Sequence, residues 1–476
     1  SAGGSLGIPA TGTITSYDRL VLSGGAASVG GLGGATNTSE SRAATVTQGS
    51  TTVTGISTAG LAIGRLVSGN GIPANTTIAS IVDGTSLTLS AAPTAPATAL
   101  VVAGVTGPGM LAPWMIDGTA NTFMGYNPAA GALGGDTGFQ PIVSTTNPGL
   151  GQIAYSRIGY VAGMGPNDIV DISSGFTMAD NPTIWALKAS ASATNATAIT
   201  PTSTTTLNSA TVTVSSATGI AVGMPVTGTG IRPGTTVTDV QGTTITLSQP
   251  VTQAHSGTGV AYQPGARITL GSGGLIMNGS AGAITINPML STGGELVLFM
   301  QNTANFNVIN GVISATGLTK FGTGDVRLAS DNRGTLTGDT VLSGYNWLRL
   351  GNLYALGGDV TNPYNSTNKA ILNMGQLYSE NGNQIYLYDV VVNSESQMGG
   401  NASAYRNLSI NGLANNPNNT PTAFNVPNAG QLYFFGPTTF NAPTSFRADQ
   451  LVILQGGLAG TGSFQKYGGS WLQING

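Results

Sequence analysis

Apolar and polar residues alternate with a period of two along most of the chain. Short runs rich in Val, Ile, Leu and Tyr recur, such as RITL, DVRLA, QIYLYDVVV and LVILQG, and each is bounded by Gly, Asn, Asp or Pro. Alternation of this kind is typical of β-strands, and the bounding residues favour turns. No run shows a helical heptad of useful length. The pattern predicts an all-β protein whose closely spaced short strands suit a solenoid or a sandwich.

One pattern of strand, turn and strand occurs twice in the chain, and the two copies align without a gap. GLTKFGTGDVRLAS begins at Gly317, and SFQKYGGSWLQING begins at Ser463. In this alignment Lys320 matches Lys466, and Gly322 matches Gly468. Alternation predicts that four residues of the second strands face the interior: Val326, Leu328, Leu472 and Ile474. The intervening Asp325, Arg327 and Gln473 are then expected to face solvent.

Two longer segments are copies of each other. STTVTGISTAGLAIGRLVSGNGIP begins at Ser50 and SATVTVSSATGIAVGMPVTGTGIRP at Ser209, with their glycines in constant register until a one-residue deletion near the end. Each copy reads as a compact β module, and stretches rich in Ala, Ser, Thr and Pro flank both. When residues 190–262 are removed, the strands on either side join naturally. We therefore predict two modules inserted in a host scaffold.

The chain divides accordingly into five parts. Residues 1–44 form an N-terminal strand and Gly-rich segment, a possible assembly arm, and residues 45–105 form the first inserted module. Residues 106–189 begin the solenoid, residues 190–262 form the second module, and residues 263–476 complete the solenoid.

The host segments resemble a known family. TIWALKAS, ITLGSGGLIMNG, GLTKFGTGDVRLASDN and NWLRLGNLYALGG resemble the autotransporter-associated β-strand repeats of Gram-negative bacteria, over roughly residues 110 to 476. The resemblance implies a right-handed parallel β-helix, secreted or exposed at the cell surface, as in adhesins, passengers and matrix proteins. The outer-membrane barrel that often ends such proteins has no counterpart in this sequence.

Composition narrows the function classes. Of 476 residues 72 are Gly, and 7% are charged, where about 25% is usual. Cysteine is absent, which excludes disulfides and thiolate sites. The net charge of −3 and the scattered Lys and Arg argue against nucleic acid, and no apolar run is long enough for a membrane-spanning helix. The opening SAGGSLGIPA is not a signal peptide, so we expect any export signal to have been removed.

Catalytic and metal signals are weak, and we predict no catalytic residue, cofactor or metal. The single histidine, His255, is interpreted as structural. Asp168 and Asp171 are the nearest acid pair, but their spacing of three places them on opposite faces of a strand. The tyrosines and phenylalanine of the strands QLY, IYLY and LYFF could stack on sugars, although stacking within the solenoid is favoured: Tyr378, Tyr386, Tyr388, Tyr433 and Phe435.

The final coil raises the question of assembly. It contains apolar Trp471, Leu472 and Ile474 with no polar capping helix after it, and an uncovered solenoid edge is a template for another chain. The chain is either a proteolytic piece of a longer passenger or docks this end onto another subunit, which we favour. Head-to-tail contact that does not close gives a filament. Tyr17, Leu20 and Leu22 lie in a strand, YDRLVLSGG, that could complete the neighbour's sheet.

The sequence therefore predicts an extracellular structural protein of a Gram-negative surface that polymerises with itself into a fibre, sheath or matrix. The alternative is a monomeric adhesin passenger that binds a glycan or surface through the inserted modules. An enzyme acting on polysaccharide is a distant third.

Overall fold

A computed structural model describes most of the chain. The described residues are 40–58, 61, 65–74, 76–102, 110–127, 138–144, 153–160, 163–178, 180–279, 282–301, 306–344, 346–359, 367–380, 384–386, 388–411, 424–426 and 430–475. Within them the regular elements are all β-strands, which confirms the all-β prediction.

The first six strands form one antiparallel sheet. They are β1 Glu40–Val46, β2 Thr52–Thr54, β3 Val67–Ser68, β4 Ile78–Asp83, β5 Ser86–Leu89 and β6 Ala97–Val102. Their spatial order is β3-β6-β1-β2-β5-β4, so β4 is an edge strand. Val53, Leu87 and Leu100 are fully buried in a core of the sheet's own. The sheet begins at Glu40, a few residues before the predicted start of the first module.

Three further antiparallel strands follow: β7 Ile116–Asp117, β8 Thr122–Asn127 and β9 Gly138–Pro141. The parallel part of the fold then starts with β10 Arg157–Ile158, β11 Ile169–Ile172, β12 Phe176–Met178, β13 Thr183–Ala189 and β14 Ala193–Asn195.

Seven strands then form a second set of antiparallel pairs. They are β15 Ser203–Thr205, β16 Thr211–Val214, β17 Val226–Gly228, β18 Val237–Gln241, β19 Thr244–Leu247, β20 His255–Gly257 and β21 Val260–Tyr262. Five of them form a sheet in the order β18-β19-β16-β15-β20, and β17 pairs with β21. Val212, Ile245 and Tyr262 are fully buried in a separate core.

The remaining strands continue the parallel part. They are β22 Arg267–Met277, β23 Thr285–Ile286, β24 Met289–Ser291, β25 Glu295–Met300, β26 Asn307–Ile309, β27 Ile313–Ser314, β28 Gly317–Gly322, β29 Val326–Leu328, β30 Thr340–Ser343, β31 Trp347–Leu350, β32 Lys369–Asn373, β33 Gln376–Ser379, β34 Gln384–Ile385, β35 Asp389–Val392, β36 Ser396–Gly400, β37 Ser403–Tyr405, β38 Leu408–Ile410, β39 Phe424–Val426, β40 Leu432–Phe434, β41 Thr438–Phe440, β42 Thr444–Ala448, β43 Val452–Leu454, β44 Leu458–Ala459, β45 Phe464–Tyr467 and β46 Leu472–Ile474.

Parallel pairing gathers these strands into three sheets. The long sheet has 14 strands, in the order β10-β11-β13-β22-β25-β28-β30-β32-β35-β38-β41-β44, with β24 beside β22 and β27 beside β24. The middle sheet has 11 strands, β12-β14-β23-β26-β29-β31-β33-β36-β39-β42-β45, and the short sheet has five, β34-β37-β40-β43-β46. Successive coils of the chain therefore stack strand on strand, which is the architecture of a β-solenoid.

Inward side chains stack into columns between the sheets. Along the long sheet, Leu298 pairs with Lys320, then Leu342 and then Leu372, each one coil further on. The column continues through Val392, Ile410 and Phe440, and its leucines are buried in the main core. Parallel stacking at about 4.8 Å places like residues in direct contact. Val326 and Leu328 are buried, as the alternation predicted.

The outer face of the long sheet is covered where the solenoid begins. Ile276 and Phe299 face away from the main core and pack with Met110 and Phe123 from the preceding three-stranded segment. Every position after the first in β25 is therefore buried, whereas β30 alternates between buried and half-buried.

Glycine occupies the tight corners that the alternating pattern predicts. Gly322 has a φ of 89°, and a Cβ there would lie 2.3 Å from the carbonyl oxygen of Met300. Gly468 has a φ of 86°, and its Cβ would lie 2.4 Å from that of Ala448. The two aligned motifs nevertheless occupy different corners, because β28 belongs to the long sheet and β45 to the middle sheet.

Candidate functional site

The predicted assembly residues of the final coil lie on an exposed apolar surface. Trp471 is 80% exposed and Ile474 is 44% exposed, while Leu472 is half-buried. Together with Phe464 and Lys466 they line a depression of about 450 Å³. Within the part of the chain that the structure describes, strands β44, β45 and β46 pair on one side, with β41, β42 and β43. Ile474 lies in register with Leu454 and continues its inward column. We call these five residues the end-coil surface.

The lysine of the end-coil surface bonds within its own coil. Lys466 Nζ donates to the carbonyl oxygen of Gly468 at 2.7 Å and also to that of Ser470. Phe464 stacks on Phe440 of the preceding coil, with ring centroids 4.8 Å apart. The apolar interior thus continues up to this surface. The other predicted assembly residues, Tyr17, Leu20 and Leu22, lie outside the described residues.

Asp168 and Asp171 belong to two separate buried ion pairs. Asp168 accepts from Arg157 Nε at 2.8 Å and from the backbone N–H of Gly165, and Arg65, which precedes β3 of the first sheet, lies 3.5 Å away. Burial lowers the pKa of Arg65, and the charge of Asp168 opposes that shift.

Asp171 instead pairs with Lys188 on the adjacent strand at 3.2 Å, and the ammonium lies 5.5 Å from the Tyr155 ring centroid. Burial raises the pKa of Tyr155 above its ordinary value. Both carboxylates are therefore buried and each pairs with a cation, Asp168 with buried Arg157 and Asp171 with half-buried Lys188.

Lys320 is a cation inside the apolar column. It is 1% exposed between Leu298 and Leu342, and its Nζ donates to the carbonyl oxygen of Asn346 at 3.2 Å. Burial lowers the pKa of Lys320 to about 8, although the nearby carboxylate of Asp325 acts in the opposite direction. The sequence motif placed this lysine in a strand but gave no sign that it is buried.

Charged residues also stack on the outer face of the middle sheet. Arg327 pairs in register with Arg349 one coil further on. Arg327 bonds to Glu380, and Arg349 lies 2.9 Å from Asp325. Each guanidinium thus has its own carboxylate, which offsets the repulsion between stacked like charges.

The candidate sugar-stacking aromatics separate into two groups. Tyr386 and Tyr388 are buried, and Tyr386 stacks on Tyr405 with ring centroids 5.4 Å apart. Burial raises the pKa of Tyr386 to about 12. Their interpretation as an internal ladder is confirmed, and they are not available to a ligand. Tyr378 is half-buried and packs edge-on against Trp347.

Tyr433 and Phe435 remain on the outside of the short sheet. Tyr433 is half-buried and Phe435 is 43% exposed. They line a groove of about 240 Å³ with Ile385, Ala404 and other residues of successive coils.

Other polar chemistry is limited among the described residues. His255 accepts from the backbone N–H of Gly259 through Nε2 at 3.0 Å. Over the part of the chain that the structure describes, three or more His, Asp or Glu side chains do not come together as a metal site. The same residues include no helix of the length and hydropathy needed to cross a membrane.

Comparison with known proteins does not identify a family for this chain. The sequence matches no protein-family model, and a search of curated proteins also finds no match.

Proposed function

We propose that the protein is an extracellular structural protein that self-assembles head-to-tail into a surface fibre, sheath or matrix. The observation that supports the proposal is the end-coil surface, where Trp471 and Ile474 expose apolar side chains beside three strands that, among the described residues, pair on one side. Parallel strands of another coil would pair with these backbone groups and bury these side chains. The occupant that we propose is a second copy of this chain, because its own coils already stack in that geometry.

The composition and the resemblance support an exported, architectural role. A chain with 7% charged residues and no cysteine, folded as stacked coils, resembles the autotransporter-associated repeat proteins of Gram-negative cell surfaces. We propose a right-handed solenoid, since the crossover between parallel strands of one sheet is right-handed in about 98% of cases.

Two inserted modules are part of the same proposal. Strand β13 pairs in parallel with β22, and β14 pairs with β23, while the strands between them pair only with one another. Deletion of residues 203–262 should therefore leave assembly intact, with the circular dichroism spectrum of the solenoid retained. If the variant that lacks residues 203–262 fails to assemble, the polymer contact involves the second module.

Sedimentation velocity of variants tests the end-coil contact. We expect Trp471→Asp combined with Ile474→Asp to shift the wild-type polymer to a single small species, because two carboxylates would be buried at the contact. Trp114→Asp is the matched control, since Trp114 is 55% exposed and lies outside the end-coil surface. Equal polymerisation of all three proteins would refute the end-coil surface as the contact.

The adhesin alternative is favoured by one feature of the first module. Val82 is 59% exposed on the edge strand β4, at a point where the pairing with β5 shifts register. In the alignment of the two modules, Val82 is the extra residue of the first module and has no counterpart in the second. An exposed apolar bulge on an edge strand could take part in recognition. If the protein is an adhesin of this kind, deletion of residues 40–102 should abolish adhesion. If it is a self-assembling structural protein, the same deletion should leave polymerisation unchanged.

A further inference from the structure

The outer face of the short sheet contains a groove that differs from the rest of the solenoid surface. Its outward row pairs Ile385 with Ala404, then Tyr433 and then Ile453, one residue from each of four successive coils. The small side chain of Ala404 lies between two large neighbours and forms the floor. The groove runs along the solenoid axis for about three coil spacings, or roughly 14 Å.

Aromatic rings and amides line this groove, and the described residues of its lining are all uncharged. Tyr433 and Phe435 form one wall, and Ile385, which is 49% exposed, lies opposite. Gln431 and Gln455 place exposed side-chain amides at the rim. The Tyr433 hydroxyl donates to Gln431 Oε1 at 2.5 Å, which fixes the orientation of the phenol ring.

The columns beneath the groove hold it rigid. Tyr405 and Phe434 lie directly below, on the inward side of the same strands, with ring centroids 5.9 Å apart. Tyr405 also stacks on Tyr386, so three successive coils are packed through their rings. A groove on a rigid scaffold loses little conformational entropy when it binds a ligand.

From this arrangement we propose that the groove binds a neutral, hydroxyl-rich oligosaccharide. Apolar ring faces of a sugar can stack on Tyr433 and Phe435, while its hydroxyl groups bond to the amides of Gln431 and Gln455. The absence of charge from the lining matches an uncharged ligand. Eight residues line the groove, far fewer than the roughly 20–30 a side of a stable protein interface, so a small ligand fits better than a protein.

This site shares no residue with the end-coil surface or with the antiparallel sheets. Binding here would give an assembled fibre a lateral contact with a polysaccharide, repeated once per subunit. The inference does not depend on polymerisation, because every lining residue belongs to one chain.

Saturation-transfer NMR of the full chain tests the proposal. The probes are cellopentaose, maltopentaose, penta-N-acetylchitopentaose and, as a charged comparison, pentagalacturonic acid. We expect saturation transfer to at least one neutral probe. We expect Tyr433→Ala and Phe435→Ala each to weaken that binding about three- to tenfold, the worth of one stacked ring.

Matched variants separate loss of binding from loss of folding. Tyr467→Ala removes a tyrosine whose hydroxyl bonds to Gln465 at 2.5 Å in the same way, but on the middle sheet, so binding should not change. Ala404→Leu should block the groove with both rings present, and Tyr433→Phe should retain most of the binding. Circular dichroism confirms that each variant is folded.

Two results would overturn the proposal. One is failure of all three neutral probes to bind the folded wild-type protein at millimolar concentration. The other is binding that is unaffected by Ala404→Leu and by both alanine variants, or that favours the galacturonate probe.

Discussion

Replacement of Lys320 by methionine tests the energetics of the solenoid interior. The Lys320 side chain is 1% exposed in a column of leucines, and its pKa falls from 10.5 to about 8 because burial disfavours the ammonium. Each pKa unit corresponds to about 1.4 kcal/mol, so the charged form costs the folded state roughly 3 kcal/mol at neutral pH. Methionine is apolar, similar in length and adaptable in a core.

The variant also loses one hydrogen bond. Lys320 Nζ donates to the carbonyl oxygen of Asn346, and such a bond contributes about 1 kcal/mol. Asp325 keeps Arg349 as its partner at 2.9 Å, so no carboxylate is left unpaired. We therefore expect Lys320→Met to raise the free energy of unfolding by about 2 kcal/mol at pH 7.

The sign of the pH dependence follows from the lowered pKa. Between pH 8 and 10.5 the folded protein has lost a proton that the unfolded chain retains, so the wild type gains stability as the pH rises through this window. Below pH 8 both states bind the proton, and the difference between wild type and variant is constant. The advantage of about 2 kcal/mol should shrink by about 1.4 kcal/mol per pH unit above pH 8, vanish near pH 9.5 and have reversed by pH 10.5.

Urea unfolding of the two proteins at pH 7, 8.5 and 9.5 measures this difference. Lys369→Met is the control, because this exposed lysine lies outside the end-coil surface and should change the free energy of unfolding by less than about 0.5 kcal/mol at each pH. A destabilising effect of Lys320→Met at pH 7, or a difference that stays constant up to pH 9.5, would refute the reasoning.

Two further substitutions test the corners and the buried ion pairs. Gly322→Ala should destabilise by about 2 kcal/mol or more, since its Cβ would meet the Met300 carbonyl, while Gly242→Ala, also at positive φ but in open space, should cost less. Equal urea midpoints for the Gly322→Ala and Gly242→Ala variants would show that the contact between the added Cβ and the Met300 carbonyl is unimportant. Asp168→Asn should cost about 3–5 kcal/mol by leaving Arg157 buried without its counterion. A thermal midpoint within two degrees of wild type would contradict that estimate.

Local patterns in the sequence were sufficient to predict the strands and their corners. Alternation predicts that Val326 and Leu328 are buried, and the conformation of Gly322 explains why glycine follows the strand before them. The sheet to which a strand belongs was not predictable. The motifs around Gly322 and Gly468 look alike because every corner needs the same strand, turn and strand.

The sequence alone also did not determine which aromatic side chains face the interior of the solenoid. In QLYFFG, apolar residues occupy consecutive positions, so alternation does not tell which of Tyr433 and Phe434 faces inward. Pairing across coils decides it, because Phe434 lies over buried Tyr405. The groove beside Tyr433 is formed by residues of four coils, and no local motif contains it.

The buried ion pairs were missed for a similar reason. The spacing predicted that Asp168 and Asp171 lie on opposite faces of a strand, but it did not predict that either carboxylate is buried. The structure buries the two carboxylates in different surroundings: Asp168 lies against Arg157 and Arg65, and Asp171 lies against Lys188 beside Tyr155. Such burial depends on contacts between distant parts of the chain.

Electron microscopy of the purified protein tests the central claim of self-assembly most directly. Negatively stained samples at physiological salt, without cross-linker and across a dilution series, should show regular filaments that persist on dilution. The same series with Trp471→Asp and Ile474→Asp combined should show dispersed short rods. Dispersed rods of the wild-type protein at every concentration would contradict head-to-tail assembly through the end-coil surface.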